Sequence, residues 1–251
     1  MKNVKTLLAT LTLTGLLATI PASAATLTIA DSTFADSDWT SQALYDIGFT
    51  SVSLSNGQSF SDGNAAPYRS TSYSMVWSGV QTYGSVYAWS FYQGATYTPS
   101  AQGAISALDY TEDNKRIYAD WSPAAVAASA LLRQNGSVYI GPGYVFGPNQ
   151  FWQTHADGGL TANDFIEVSL GGDGQLAWNY SAHPDFGATG STLEFGYSRS
   201  NSYSFTSSLG HGIDNWAYTL NYTPAEVVPL PPSALLLLSG LLPICARGRR
   251  K

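Results

Sequence analysis

Apolar and polar residues alternate with a period of two along most of the chain. In VYAWSFY, Tyr87, Trp89 and Phe91 alternate with Ala88 and Ser90. In STLEFGYS, Leu193, Phe195 and Tyr197 fall on one face, and in FIEVSL, Ile166, Val168 and Leu170 oppose Phe165, Glu167 and Ser169. In IDNWAYTLNY, Trp216, Tyr218, Leu220 and Tyr222 share a face. Such runs predict strands. Between them lie SNGQ, SDGN, YTEDN, RQNGS, GPGYVFGPN, HADGG, GGDG and SAHPD, which predict turns. One stretch, PAAVAASALLRQNG, is compatible with a helix starting at Pro123 and ending at Gly136. In a sheet protein it reads instead as a strand of small residues, and that is the reading adopted. No fixed-period repeat points to a solenoid or propeller. The pattern predicts an all-β fold, an antiparallel β-sandwich of jelly-roll or concanavalin-like form.

The two ends break this pattern. Lys2 and Lys5 precede the apolar run TLLATLTLTGLLATI, Pro21 follows it, and Ala22, Ser23 and Ala24 are small. Charge, apolar run and small-residue exit come in the order of a secretory signal helix, with cleavage between Ala24 and Ala25. At the other end stands VPLPPSALLLLSGLLPICARGRRK. Its apolar part is short and Pro243 interrupts it, whereas a comfortable span needs roughly 20 residues. The basic cluster Arg247, Arg249, Arg250 and Lys251 would hold the tail on the cytoplasmic side of a short C-terminal transmembrane helix. The expected organisation is a signal peptide over 1–24, a sandwich over 25–226 and a tail over 227–251.

Removing the ends changes the charge. Between residues 25 and 226, five basic residues stand against all 17 acidic ones, leaving −12 where the whole chain carries −6. Such a body repels nucleic acid and anionic lipid. It favours cations, neutral sugars or simple solubility. The one cysteine, Cys245, is in the tail, so the body has no disulfide framework and must rest on its core.

Few residues stand out for chemistry. There is no phosphate-binding loop, no two-cysteine metal motif, no His-Glu-x-x-His and no Gly-x-Ser-x-Gly elbow. His155, His183 and His211 each sit beside turn residues and read as surface loop histidines. Glycoside hydrolysis needs two carboxylates at a set separation. Glu167 and Glu194 are lone acids in strand-like runs, and Asp109, Glu112 and Asp113 in DYTEDNK read as solvated acids of a hairpin turn. Counting by two places Asp214 on the face of Trp216, at the entrance to the core. There it either ties down the preceding SSLGHG loop through backbone N–H groups or shares a structural Ca²⁺ with Asp31 or Asp36. No other cofactor is expected. Seven Trp and 16 Tyr all lie in the body. Trp89 and Trp216 are assigned to the core. Tyr144, Phe146, Phe151 and Trp152, in or after GPGYVFGPNQFW, are the candidates for exposed rings that stack on a ligand.

With the signal peptide at the other end, the tail resembles the sorting segment of PEP-CTERM proteins, in the variant that opens Val-Pro-Leu-Pro. Val228, Pro229, Leu230 and Pro231, the leucine run from Leu235, and the terminal basic cluster carry the resemblance. No Glu lies between the prolines, which is why the match is to the variant. The resemblance implies export in a Gram-negative bacterium, often alongside exopolysaccharide production. It further implies signal peptidase and an exosortase-type membrane transpeptidase as maturation partners, with only transient membrane insertion, and a destination in the cell envelope or outside the cell. The stretches DGNAAPYRS, YTPSAQGAISALDYTED, LEFGYSRSNSYS and HGIDNW also resemble a domain found in other secreted proteins with this tail. Its sandwich form is similar to concanavalin-like lectins and carbohydrate-binding modules. The expectation is a non-enzymatic exported protein that binds polysaccharide or forms matrix. The alternatives are a glycan-active hydrolase on the same sandwich and a structural surface protein without a ligand.

Overall fold

The computed structural model describes residues 23–64, 67–120, 126–147 and 150–225. The signal segment before Ser23 and the whole sorting tail lie outside the described residues. Among those described, no helix is long and apolar enough to cross a membrane.

Among the described residues, thirteen strands form two antiparallel sheets. The first sheet holds β1 (Ala25–Ala30), β3 (Phe49–Ser59), β4 (Tyr68–Trp77), β6 (Gly103–Ala119), β9 (Gln153–Leu160) and β13 (Ser207–Pro224). Its order is β3-β4-β13-β6-β9, with β1 also paired to β13. The second holds β2 (Trp39–Tyr45), β5 (Gly84–Tyr97), β7 (Val126–Gln134), β8 (Ser137–Phe146), β10 (Ile166–Leu170), β11 (Leu176–Asn179) and β12 (Leu193–Tyr203). Its order is β11-β10-β8-β7-β12-β5-β2. The described part of PAAVAASALLRQNG is β7, a strand. RQNGS closes the β7–β8 hairpin, with Asn135 and Gly136 both at positive φ (54° and 84°), the backbone that a two-residue hairpin turn demands.

Four other turn expectations fail, one of them in part, since GPGYVF of GPGYVFGPN is the end of β8. SNGQ lies inside β3, HADGG inside β9, and YTEDN in the middle of the 17-residue β6. Neighbouring strands supply the backbone pairing that these turn-forming residues would otherwise seek locally.

The two sheets pack face to face on an aromatic core. At one end Trp39 meets Trp216 edge-on at 4.9 Å, beside Tyr197, Tyr218, Phe195 and Leu220. Tyr218 ties the layers together. Its hydroxyl accepts the Leu131 N–H at 2.7 Å and lies 2.9 Å from the Gly196 carbonyl of the facing sheet. At the other end Phe49, Tyr73, Met75, Val86, Phe146 and Leu209 form a second cluster.

Between the clusters runs a buried polar belt. Each strand crosses it at one level: Tyr110, Glu112 and Asn114 on β6, Leu209, His211 and Ile213 on β13, Tyr197, Arg199 and Tyr203 on β12. Glu112 and Arg199 are both fully buried, and Arg199 Nη2 lies 2.9 Å from Glu112 Oε1. Hydroxyls of Tyr110 and Tyr144 donate to the same carboxylate. Beside Arg199 in register stands Ala128, whose small side chain leaves room for the guanidinium. A buried ion pair is tolerated only when its remaining lone pairs and protons are met, and the tyrosines do that for Glu112. The expectation of solvated acids in DYTEDNK is therefore corrected for Glu112 and Asp113, which are buried. His211 is also no loop histidine. It is 1% exposed in β13, and burial, with the nearby Arg199 charge, drives its pKa well below the usual value.

Candidate functional site

The second sheet curls until its two edges meet. The Ile47 N–H after β2 donates to the Gly174 carbonyl in the β10–β11 turn at 3.0 Å. Tyr87 of β5 meets Trp178 of β11 edge-on at 5.7 Å. The face inside this curl is the one turned away from the other sheet. It carries its own apolar cluster: Trp89, Phe91, Leu131, Val138, Ile140 and Val168, flanked by Leu44 and Tyr87. Strand periodicity dictates this. Ala130 and Leu132 of β7 point into the sandwich, so Leu131 points out of it.

A groove of about 570 Å³ opens on this inner curve. Its floor is apolar, with Trp89, Val138 and Val168, and Leu44 and Leu170 form a wall. Its rim is polar. Gln42 is paired in register with Trp89, and its side-chain amide makes no hydrogen bond to described residues. Arg133 and Glu194 face each other across β7 and β12. Arg133 Nε lies 3.0 Å from Glu194 Oε1 and its Nη2 closes the second half of a bidentate pair. The guanidinium also stacks 4.3 Å over Phe91. Both charges are thus mutually satisfied before any ligand arrives.

Trp89 is the residue this site turns on. It is 4% exposed, yet its Nε1–H donates to no acceptor among the described residues. A buried indole N–H ordinarily finds a partner. Here the ring forms part of the groove floor, while its Nε1 is itself shielded from solvent, as is Trp216 Nε1 in the core. Trp89 was expected in the core, and it is buried, but in the cluster of the groove and not between the sheets.

Glu167 also borders the groove. Its position puts it opposite Tyr139, whose ring packs between the sheets, and its two oxygens accept from Ser137 (2.6 Å) and Asn179 (3.1 Å). It does not oppose Glu194 as a second free carboxylate.

The four expected ring platforms do not form one surface. Phe146 is 4% exposed and packs in the second core cluster. Tyr144 is half-buried, stacks on His155 and donates to Glu112, and burial followed by that carboxylate pushes its pKa up. Both are corrected to interior roles. Trp152 is half-buried. It caps Lys115 at 4.6 Å, with Tyr68 on the same ammonium at 5.0 Å, and its Nε1 donates to the Asp62 carbonyl. Only Phe151 is a free ring, at 79% exposure.

The calcium expectation finds no assembled site. Among the described residues no three or more His, Cys, Asp or Glu side chains gather to hold a metal. Asp31 is filled by donors: Thr33 N–H and hydroxyl, Phe34 N–H, and Trp39 Nε1–H at 2.7 Å. Burial opposes its charge, but the bonds from Trp39, Thr33 and Phe34 outweigh it and hold the carboxyl below its usual range. Asp36 is exposed, accepts the Gln58 N–H and pairs with Arg69. Asp214 does not share the face of Trp216. Asn215, at φ 49°, forms a bulge that breaks the count by two, and pairs Asp214 with Asp113. Asp214 holds the Asn64 N–H of the SDGN turn at 2.7 Å, not the SSLGHG segment, which is strand.

Sequence reasoning missed Gln42, Leu44 and Arg133. FIEVSL carried a usable signal, because Phe165 and Val168 lie on opposite faces and both are buried, marking a sheet with apolar residues on two sides.

No family model and no curated protein matches the chain. Among solved structures it is similar to the family 11 carbohydrate-binding module of the cellulosomal cellulase Lic26A-Cel5E of Clostridium thermocellum. Identity is 13%, with 76% of this chain and 91% of that chain covered and a TM-score of 0.39. A family 11 carbohydrate-binding module from the same organism, in complex with a β-1,3-1,4-mixed-linked tetrasaccharide, gives 12%, 78%, 94% and 0.40. A protein of unknown function from Shewanella oneidensis MR-1 gives 14%, 85%, 93% and 0.33. Likenesses this distant decide neither function nor ligand.

Proposed function

We propose that this protein is an exported, non-enzymatic glycan-binding protein whose ligand lies in the groove of the curled sheet. The observation that carries the reading is the groove's lining, an apolar floor that includes the Trp89 indole beneath a rim with the uncommitted Gln42 amide. A sugar ring offers the complement to both, an apolar face of C–H groups and hydroxyl acceptors at its edge. The one cation of the rim, Arg133, is neutralised by Glu194, and the body is strongly acidic, so the reading is of a neutral glycan.

The hydrolase alternative is less well supported. Glu194 is locked to Arg133 and Glu167 to Ser137 and Asn179, so among the described residues no pair of free carboxylates flanks the groove as glycoside hydrolysis needs. The reading of export rests on the signal-like N-terminus. Delivery to the envelope by an exosortase-type enzyme rests on Val228, Pro229, Leu230, Pro231 and the basic end.

The test is binding of soluble neutral β-glucan, xylan and galactomannan to the full chain and to Trp89→Phe, which keeps an aromatic floor and reduces its area. Binding of at least one glycan, weakened about tenfold in the variant, is expected. Failure of every glycan to bind would leave a structural surface protein. Release of reducing sugar would restore the hydrolase.

A further inference from the structure

The groove does not end at Leu44. Leu44 and Leu170 also line a second depression of about 310 Å³, and its Asp46 in turn borders a third of about 300 Å³. The three follow the seam where β2 and β5 meet β10 and β11. The third is walled by aromatic rings: Tyr83 at 62% exposure, Trp178 at 36%, and Tyr87 edge-on to Trp178. Tyr180, 69% exposed, follows on the same short strand end. Gln81 and Gln175 also line it, and neither side-chain amide bonds to a described residue. Exposed rings beside uncommitted amides give the far end of the seam its own place for a sugar ring, as the apolar floor and the Gln42 amide do at Trp89.

We infer that the ligand is an extended glycan chain held at two places, one at Trp89 and Gln42 and the other against Tyr83 and Trp178, with the Leu44–Leu170 depression between them. This rests on the glycan reading and adds its length. Two contacts on one chain act together, because the second is made at the effective concentration that the first imposes. A single-ring site would bind a disaccharide as well as a long chain. A two-place seam favours the long one.

The experiment is calorimetric titration of the full chain with the oligosaccharides, disaccharide to hexasaccharide, of whichever glycan binds. Affinity is expected to rise by about tenfold or more along the series. Trp178→Ala is expected to bring the hexasaccharide down toward the short chains and leave the shortest bound form unchanged. Tyr83→Ala is the second variant, since an exposed loop ring carries little of the fold. A flat length series, or a hexasaccharide indifferent to both variants while Trp89→Phe still weakens it, overturns the two-place seam and spares the glycan reading. No binding by any member, nor by the parent polysaccharide, overturns both.

Discussion

Arg199 of β12 and Glu112 of β6 meet across the two sheets at 2.9 Å with neither side chain reached by solvent. The pair is the middle of the polar belt that divides the core. The carboxylate side is well met, since it also receives two tyrosine hydroxyls, while Arg199 Nε finds no partner among the described residues.

Removing one partner should therefore cost far more than removing both. Glu112→Gln or Arg199→Met alone leaves a buried charge unmatched and should destabilise by about 3–5 kcal/mol. The double variant Glu112→Gln with Arg199→Met should lose less than the sum of the two single variants. Urea unfolding of the four proteins checks this, and additive losses would mean that the two side chains act independently.

The belt also contains His211, kept neutral by burial and by Arg199. Its folded pKa is depressed, so the unfolded chain takes up a proton first as pH falls below about 6.5. Stability should then drop on acidification, by up to about 1.4 kcal/mol per pH unit. The expected window is between pH 6.5 and 5, above the range where ordinary carboxylates titrate. In His211→Gln that slope should flatten, whatever the variant's stability at neutral pH. An unchanged slope would assign the effect to another group.

Asp31 organises the chain between β1 and β2. Phe34 sits at φ 52° with its ring fully buried, a costly backbone for a large residue, and the Asp31 oxygen bonded to its N–H holds it there. Asp31→Ala should cost about 2–3 kcal/mol, alter Trp39 fluorescence, and gain nothing from calcium. Because the folded carboxyl is depressed, this contribution is full above the ordinary carboxylate pKa and is lost as pH falls through the folded value.

Lys115, 3% exposed, reaches Asp62 at 2.6 Å while Tyr68 and Trp152 cover it. This pins the SDGN turn over the outer face of the first sheet. Lys115→Met keeps the stem but drops the charge. Limited proteolysis should then cut around residues 60–64 faster, with little change in overall unfolding.

The alternating runs were legible because both their pattern and their burial are local. Leu193, Phe195 and Tyr197 fall on one face of β12 as their spacing requires, and β13 keeps Trp216, Tyr218 and Leu220 together. What was hidden is non-local. Glu112 looks solvated beside Thr111 and Asp113, and only Arg199, 87 residues away, makes it an interior residue. Asp214 was misplaced by one residue because a bulge at Asn215 leaves no mark in a count by two. Trp89 could be read as buried, but its side of the sheet follows from the curl of seven strands, and no short stretch states that curl.

The length and placing of β13 have a mechanical consequence. It runs 18 residues to Pro224 and pairs with β6 from Leu209 to Pro224, while β1 lies antiparallel along Ala217–Tyr222. A pull on the C-terminal end of the domain is directed along this strand. It loads the flanking ladders in shear, so many bonds must give way together and not one at a time. Whatever the chain is tethered to at that end, the domain meets tension along its most heavily bonded line.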